Sequence, residues 1–224
     1  MKLYKKIEVN GVEYPLISEQ ITLEFNNSGR GLFIVESKQN LTGELKYYAG
    51  WNGQYSLIFT GDIESCISMD NKQERLFVRE KSNKLCSIYQ ISMRLCTTLE
   101  IIKKLAALSS LEFIVQDAPW STFEMPFFSS TGTGWQILSQ LIHELEIENC
   151  SVNSLADGRI FFGGQKKNTL HFDIKHCSEI TATGVTLMLN PFLYCGQEII
   201  IGHKEPRQIF RLNIANETTR IEFP

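Results

Sequence analysis

Long apolar runs are missing from this sequence. None approaches the roughly 20 residues that a membrane helix needs, so no membrane insertion is expected. The first residues, MKLYKKIEVNG, carry charge but no apolar core, which speaks against a signal peptide. A charge excess is missing too: 22 Lys and Arg stand against 25 Asp and Glu, a formal net charge of −3. That balance excludes a nucleic-acid binder that works through overall basicity, and the basic residues are scattered, with no run longer than a pair such as Lys103-Lys104 or Lys166-Lys167. The six cysteines (Cys66, Cys86, Cys96, Cys150, Cys177, Cys195) show no CxxC, so no zinc site is expected and they read as reduced, mostly buried thiols.

Local punctuation is also scarce. No proline occurs between Pro15 and Pro119, and no glycine between Gly61 and Gly132. The first half therefore reads as long regular elements turned by Asn, Asp and Ser. Ile7-Glu8-Val9 and Val12-Glu13-Tyr14 alternate around Asn10-Gly11, the strongest short hairpin signal, because a type I′ turn needs φ > 0 at both central residues. Further strands are predicted over 21–25, 32–36, 45–48, 54–63, 66–69, 75–79 and 85–95, with turns at Asp70-Asn71-Lys72 and Ser82-Asn83-Lys84.

The period then changes. Thr97-Thr98-Leu99-Glu100 is a capping box, followed by Leu99, Ile102, Leu105, Ala106 and Leu108 at helical spacing and a strand over 111–115. A loop containing Pro119, Trp120 and Pro126 intervenes, and Phe127-Phe128-Ser129-Ser130 does not read as a strand. Thr133-Gly134-Trp135-Gln136 is a second capping box, and the stripe and strand recur 36 residues on. From residue 163 the alternating pattern returns. The expected class is α+β, mainly β: two antiparallel β-barrel-like domains, 1–95 and 163–224, with two helix–strand units inserted at 96–162.

Chemical groupings are sparse. His171 and His176 are five apart in a strand-like segment, His143 lies on a helix surface and His203 in a turn. Gly132-Thr133-Gly134 lacks the lysine of a phosphate loop and reads as the entry to a helix. No catalytic, cofactor or metal residue is assigned, and the protein reads as a non-enzyme. Two readings stand beside this one. Tyr47, Tyr48, Trp51 and Tyr55 surround a Gly-Asn-Gly loop and would suit a carbohydrate-binding β module, an interface or simply core. Glu144, Glu146 and Glu148 would suit a hydrolase with dispersed acids, although a solvated face explains them as well.

The middle and C-terminal segments resemble a known family. They are Thr97 to Val115, Thr133 to Leu138, Ala156-Asp157-Gly158-Arg159-Ile160-Phe161-Phe162-Gly163, and the turn Leu189-Asn190-Pro191-Phe192-Leu193-Tyr194-Cys195-Gly196-Gln197. Over about residues 95–215 the chain resembles the late-control-D-like tail and baseplate hub proteins of contractile-tailed phages and related injection systems. The resemblance implies a structural, non-enzymatic subunit of a homo-oligomeric ring, generally a trimer, that joins the tail tube to the central spike. It further implies a place in the virion tail after synthesis in the host bacterial cytoplasm, with tube and spike proteins as partners. Interface candidates are Trp120, Phe123, Phe127 and Phe128 in the connecting loop, and Trp51.

Overall fold

The computed structural model describes residues 2–70, 72–148, 150–164, 169–202 and 205–224. The chain opens with β1 (Leu3–Val9), β2 (Val12–Tyr14), β3 (Leu16–Glu24), β4 (Arg30–Glu36), β5 (Glu44–Trp51), β6 (Ser56–Ser68) and β7 (Gln73–Glu80). A 3₁₀ turn over Lys81–Cys86 leads into β8 (Ile88–Thr97), α1 (Thr98–Ser109), β9 (Phe113–Val115), β10 (Glu124–Thr133) and α2 (Gly134–Glu144). Then come β11 (Cys150–Ser154), β12 (Ile160–Gly164), β13 (Leu170–Phe172), β14 (Cys177–Ile180) and β15 (Gly184–Met188). The chain closes with β16 (Glu198–Ile201), β17 (Arg207–Gln208), β18 (Arg211–Ala215) and β19 (Thr218–Glu222).

The opening hairpin forms as its turn chemistry dictates. Ile7 faces Tyr14 and Val9 faces Val12 across Asn10 (φ 50°) and Gly11 (φ 79°), both left-handed as a type I′ turn requires. The two runs predicted at 54–63 and 66–69 are one strand, β6, carried through a bulge between Ile63 and Ser65.

The mainly-β, α+β class holds, and among the described residues no sheet closes into a barrel. Strands from both ends of the chain share one open sheet in the order β14-β15-β19-β18-β3-β4-β7-β6-β5-β1-β2. The join is the antiparallel pair of β18 and β3, from Arg211 opposite Glu24 to Ala215 opposite Gln20. Arg211 clamps it, with Nε 3.1 Å from Glu24 Oε1 and Nη1 3.0 Å from Glu222 Oε2. The two edges, β14 and β2, are short, a usual way of discouraging edge-to-edge pairing.

Three apolar cores form among the described residues. One lies under the N-terminal strands around Ile7, Ile21, Phe33, Tyr47, Phe59 and Leu76, and takes in Leu189 and Ile214 from the C-terminal part. Another holds Val185, Leu187, Ile199, Leu212 and Ile221. The middle core runs from Leu85 to Phe162 and includes Ile101, Leu105, Leu138 and Leu141. Strand β8 crosses the boundary expected at 95/96, and its inward residues Ile91 and Cys96 belong to the middle core.

Both capping boxes are formed. The Glu100 amide donates to Thr97 Oγ1 at 3.3 Å and the Thr97 amide to Glu100 Oε2 at 2.8 Å. In α2 the Gln136 amide donates to Thr133 Oγ1 at 3.2 Å and the Thr133 amide to Gln136 Oε1 at 2.8 Å. The apolar stripe is rotated slightly from its expected place. Ile101, Ile102 and Leu105 are buried in α1 while Leu108 is exposed, and Ile137, Leu138 and Leu141 take the same places in α2. Gly134 begins α2 because a Cβ there would stand 2.6 Å from Leu85 Cδ2 and 3.1 Å from Leu85 Cα. Close packing, not phosphate binding, is therefore what that glycine permits. Replacing Thr97 or Thr133 by Ala is expected to cost about 1 kcal/mol each, lowering Tm by roughly 2–4 °C in a scanning calorimeter.

No described helix is long and apolar enough to cross a membrane. The six cysteines are all free, but only Cys96 and Cys195 are buried, and Cys86 is exposed.

Candidate interaction surfaces

The part of the expected loop that contains Pro126 and Phe127-Phe128-Ser129-Ser130 lies in strand β10, paired with β8 in a separate two-stranded ribbon from Glu124 opposite Thr97 to Thr133 opposite Ile88. Its apolar–polar pattern hides this because alternation breaks in the middle. Pro126 has no amide hydrogen, and Leu95 opposite it takes φ 47°, a left-handed backbone unusual for a bulky side chain. Neighbouring residues on both strands consequently face outward together: Arg94 and Leu95 on β8, Pro126 and Phe127 on β10. Leu95 is 77% exposed and Phe127 56%, and Phe123, just before the strand, is also exposed. Leu95, next to Arg94 in sequence, and Phe127, opposite Arg94, give the ribbon an exposed apolar knob around that arginine.

The kink separates the interface candidates. Phe128 points inward, is 1% exposed and belongs to the middle core. Trp120 is half-buried, stacked edge-on against Phe162 at 5.5 Å, and its carbonyl accepts the Thr98 hydroxyl at 2.9 Å. Within a single copy, Phe128 is therefore taken up by the core, and Trp120 keeps only part of its ring at the surface. Trp51 is half-buried and donates its indole N–H to the Leu189 carbonyl at 2.8 Å, tying β5 to the C-terminal turn. Phe123 and Phe127 remain available to a partner.

The aromatic cluster around 47–55 also divides. Tyr47 is fully buried in the N-terminal core, Tyr48 is half-buried with its hydroxyl donating to Glu8, and Tyr55 packs edge-on against Tyr4. No continuous platform for a sugar ring results. Glu144, Glu146 and Glu148 are exposed, Glu144 accepts from Gln140 at 2.7 Å, and none of the three lines either large cleft. His143, His171 and His176 are exposed, while His203, Asn71 and the pair Lys166-Lys167 lie outside the described residues.

Two clefts flank the turn at Asn190–Cys195, each of about 860 Å³. The first lies between Trp51, Phe172, Met188 and Phe192. The second is walled by Leu23, Leu57, Ile58, Phe161 and Leu193, with Phe192 and Tyr194 exposed beside it. Glu80 lies at this second cleft and is buried. Its carboxylate accepts the Gly29 amide at 2.6 Å and the Ser82 hydroxyl at 3.3 Å. Burial pushes its pKa up to about 7, against the pull of those hydrogen bonds. Glu24 also lines the cleft but is paired with Arg211, whereas no cation pairs with Glu80 among the described residues. Burial likewise pushes up the neighbouring Cys195 thiol, with the Glu80 charge adding to the effect. Glu80 was not among the sequence candidates. Its signal is the register of β7, where Glu74, Leu76, Val78 and Glu80 alternate inward.

A structure of the 43 kDa tail protein of prophage MuSo2 from Shewanella oneidensis superposes over 100% of this chain and 98% of its own, with a TM-score of 0.75 at 11% identity. The chain has the phage tail-protein fold. The same fold covers 98% of this chain and 77% of an E. coli component of the type VI secretion system, with a TM-score of 0.64 at 10% identity. That protein is itself described as structurally similar to the T4 bacteriophage tail proteins gp27 and gp5. In sequence, the tail-protein fold here is 27% identical over 167 residues to an uncharacterized 58.7 kDa protein of Haemophilus phage HP1. The match takes in 74% of this chain and 31% of the relative, so the chain spans about a third of that protein's length. No family model matches.

Proposed function

We propose that the chain is a structural, non-enzymatic subunit of a phage-tail hub, a ring of identical copies that joins the tail tube to the central spike in the virion. The observation that carries the reading is the tail-protein fold, shared from end to end with the MuSo2 tail protein. The likeness of the E. coli secretion component to the tail proteins gp27 and gp5 supports a place in the tail. Physical features agree with assembly. The β8–β10 ribbon has two ten-residue strands, each paired on one side only among the described residues, and carries exposed Leu95, Phe123 and Phe127. A subunit that stayed alone would gain nothing from such a surface and would risk aggregation.

Light scattering after size exclusion tests this. The chain is expected to elute as three copies, and Phe123→Asp with Phe127→Asp to shift it toward single copies without changing its circular dichroism. Both side chains are exposed, so loss of the fold is not the expected cause. A double variant that assembles like the parent contradicts the ribbon as the contact.

A further inference from the structure

A buried carboxylate without a cation is costly unless something compensates it, and an exposed arginine between apolar side chains is a ready partner. Both occur here, on different surfaces. Glu80 lies at the cleft walled by Leu23, Leu57, Ile58 and Phe161, hydrogen-bonded to Gly29 and Ser82 but paired with no basic residue among those described. Arg94 is exposed on the ribbon, directly across from Phe127 and next in sequence to Leu95. The arginine ion pairs of the described residues belong to Arg79, Arg159, Arg211 and Arg220, and none to Arg94.

We propose that the occupant of this cleft is a second copy of the chain, whose ribbon knob of Arg94, Leu95 and Phe127 enters so that Arg94 meets Glu80. The complementarity is of size and polarity as well as charge. The cleft, about 860 Å³, has room for an arginine with an aromatic neighbour. Its apolar walls suit Leu95 and Phe127, and Phe192 and Tyr194, both exposed at its side, are aromatic partners for a guanidinium. The contact joins two different surfaces, so it is heterologous: each copy gives a knob to one neighbour and a cleft to the other. Repeated around a rotation axis, such a contact closes into a ring. The inference rests on the hub reading and names the surfaces that would build its ring.

The test uses the whole chain. Arg94→Glu is expected to raise the dissociation constant of the assembly at least about tenfold by light scattering over a dilution series, with Arg94→Lys intermediate. Phe192→Ser, at a side chain 72% exposed, is expected to weaken it without altering the fold. Glu80→Gln acts from the other surface. Because the contact is heterologous, an equimolar mixture of Arg94→Glu and Glu80→Gln chains retains one intact knob and one intact cleft. It is expected to give dimers under conditions where each variant alone is monomeric. An assembled parent that Arg94→Glu, Glu80→Gln and Phe192→Ser all leave intact overturns this docking and spares the hub reading. A parent that is monomeric at every concentration removes the hub reading itself.

Discussion

Phe128→Ala is expected to cost about 3–5 kcal/mol of stability, and Phe127→Ala, one residue away, within about 0.5 kcal/mol. Chemically the two substitutions are the same. Phe128 packs in the middle core with Ile101, Leu138 and Phe162, and its loss leaves a cavity that neighbours held by two helices cannot collapse to fill. Phe127 stands in solvent, and its loss removes little buried area. Denaturant unfolding of the two variants at a concentration that keeps the chain as single copies checks the contrast. Equal midpoints would mean that the ribbon register, Phe127 opposite Arg94 and Phe128 opposite Met93, is wrong.

The second large effect concerns Glu80 and pH. Its folded pKa, about 7, lies above the ordinary 4.5. The folded state therefore holds a proton that the unfolded state has released, and stability falls as pH rises between those values. Integrated over the window the loss is about 3 kcal/mol. It is absent below pH 4.5 and complete above about pH 7. Glu19, buried beside Lys5, is shifted in the same direction by desolvation. The lowered carboxylates Glu8, Glu44, Glu100 and Asp157, held down chiefly by hydrogen bonds with Lys6, Lys81, the Thr97 amide and Arg159, have the opposite sign. Their contribution is lost only below the ordinary carboxylate range, whereas those of Glu80 and Glu19 are lost above it. Around Glu80 stand Ser82, Ser154 and the Cys195 thiol, with Glu24 and Arg211 paired nearby. The parent chain, kept dilute, is expected to unfold more readily at pH 8 than at pH 5. Glu80→Gln keeps an oxygen for the Gly29 amide, and is expected to flatten that dependence and exceed the parent at pH 8. A parent equally stable at both pH values would contradict it.

Local signals in the sequence carried further than long-range ones. The Asn10-Gly11 turn, both capping boxes and the 36-residue repeat depend on contacts within a few residues, and all were legible. The pairing of β3 with β18 was not, because an alternating strand specifies which face is buried but not which strand lies beside it, here 191 residues away at Thr22 and Asn213. Strand β10 escaped for a different reason: the Leu95–Pro126 break resets alternation, so its inward residues Met125 and Phe128 are three apart. The same break turned Phe127 and Arg94 outward, so the feature that obscured the strand also made the knob. Phe123 and Phe127 could be named from an apolar loop beside prolines. Glu80 and Arg94 could not, since a charged residue at a strand end reads as solvated until its neighbours are placed.

The proposed role of this tail-protein fold is a ring of identical copies. Its most direct measurement is the mass of the purified 224-residue chain by light scattering across a hundredfold range of concentration. The account predicts a plateau at three subunits that falls toward one on dilution. A mass of one subunit throughout would contradict it.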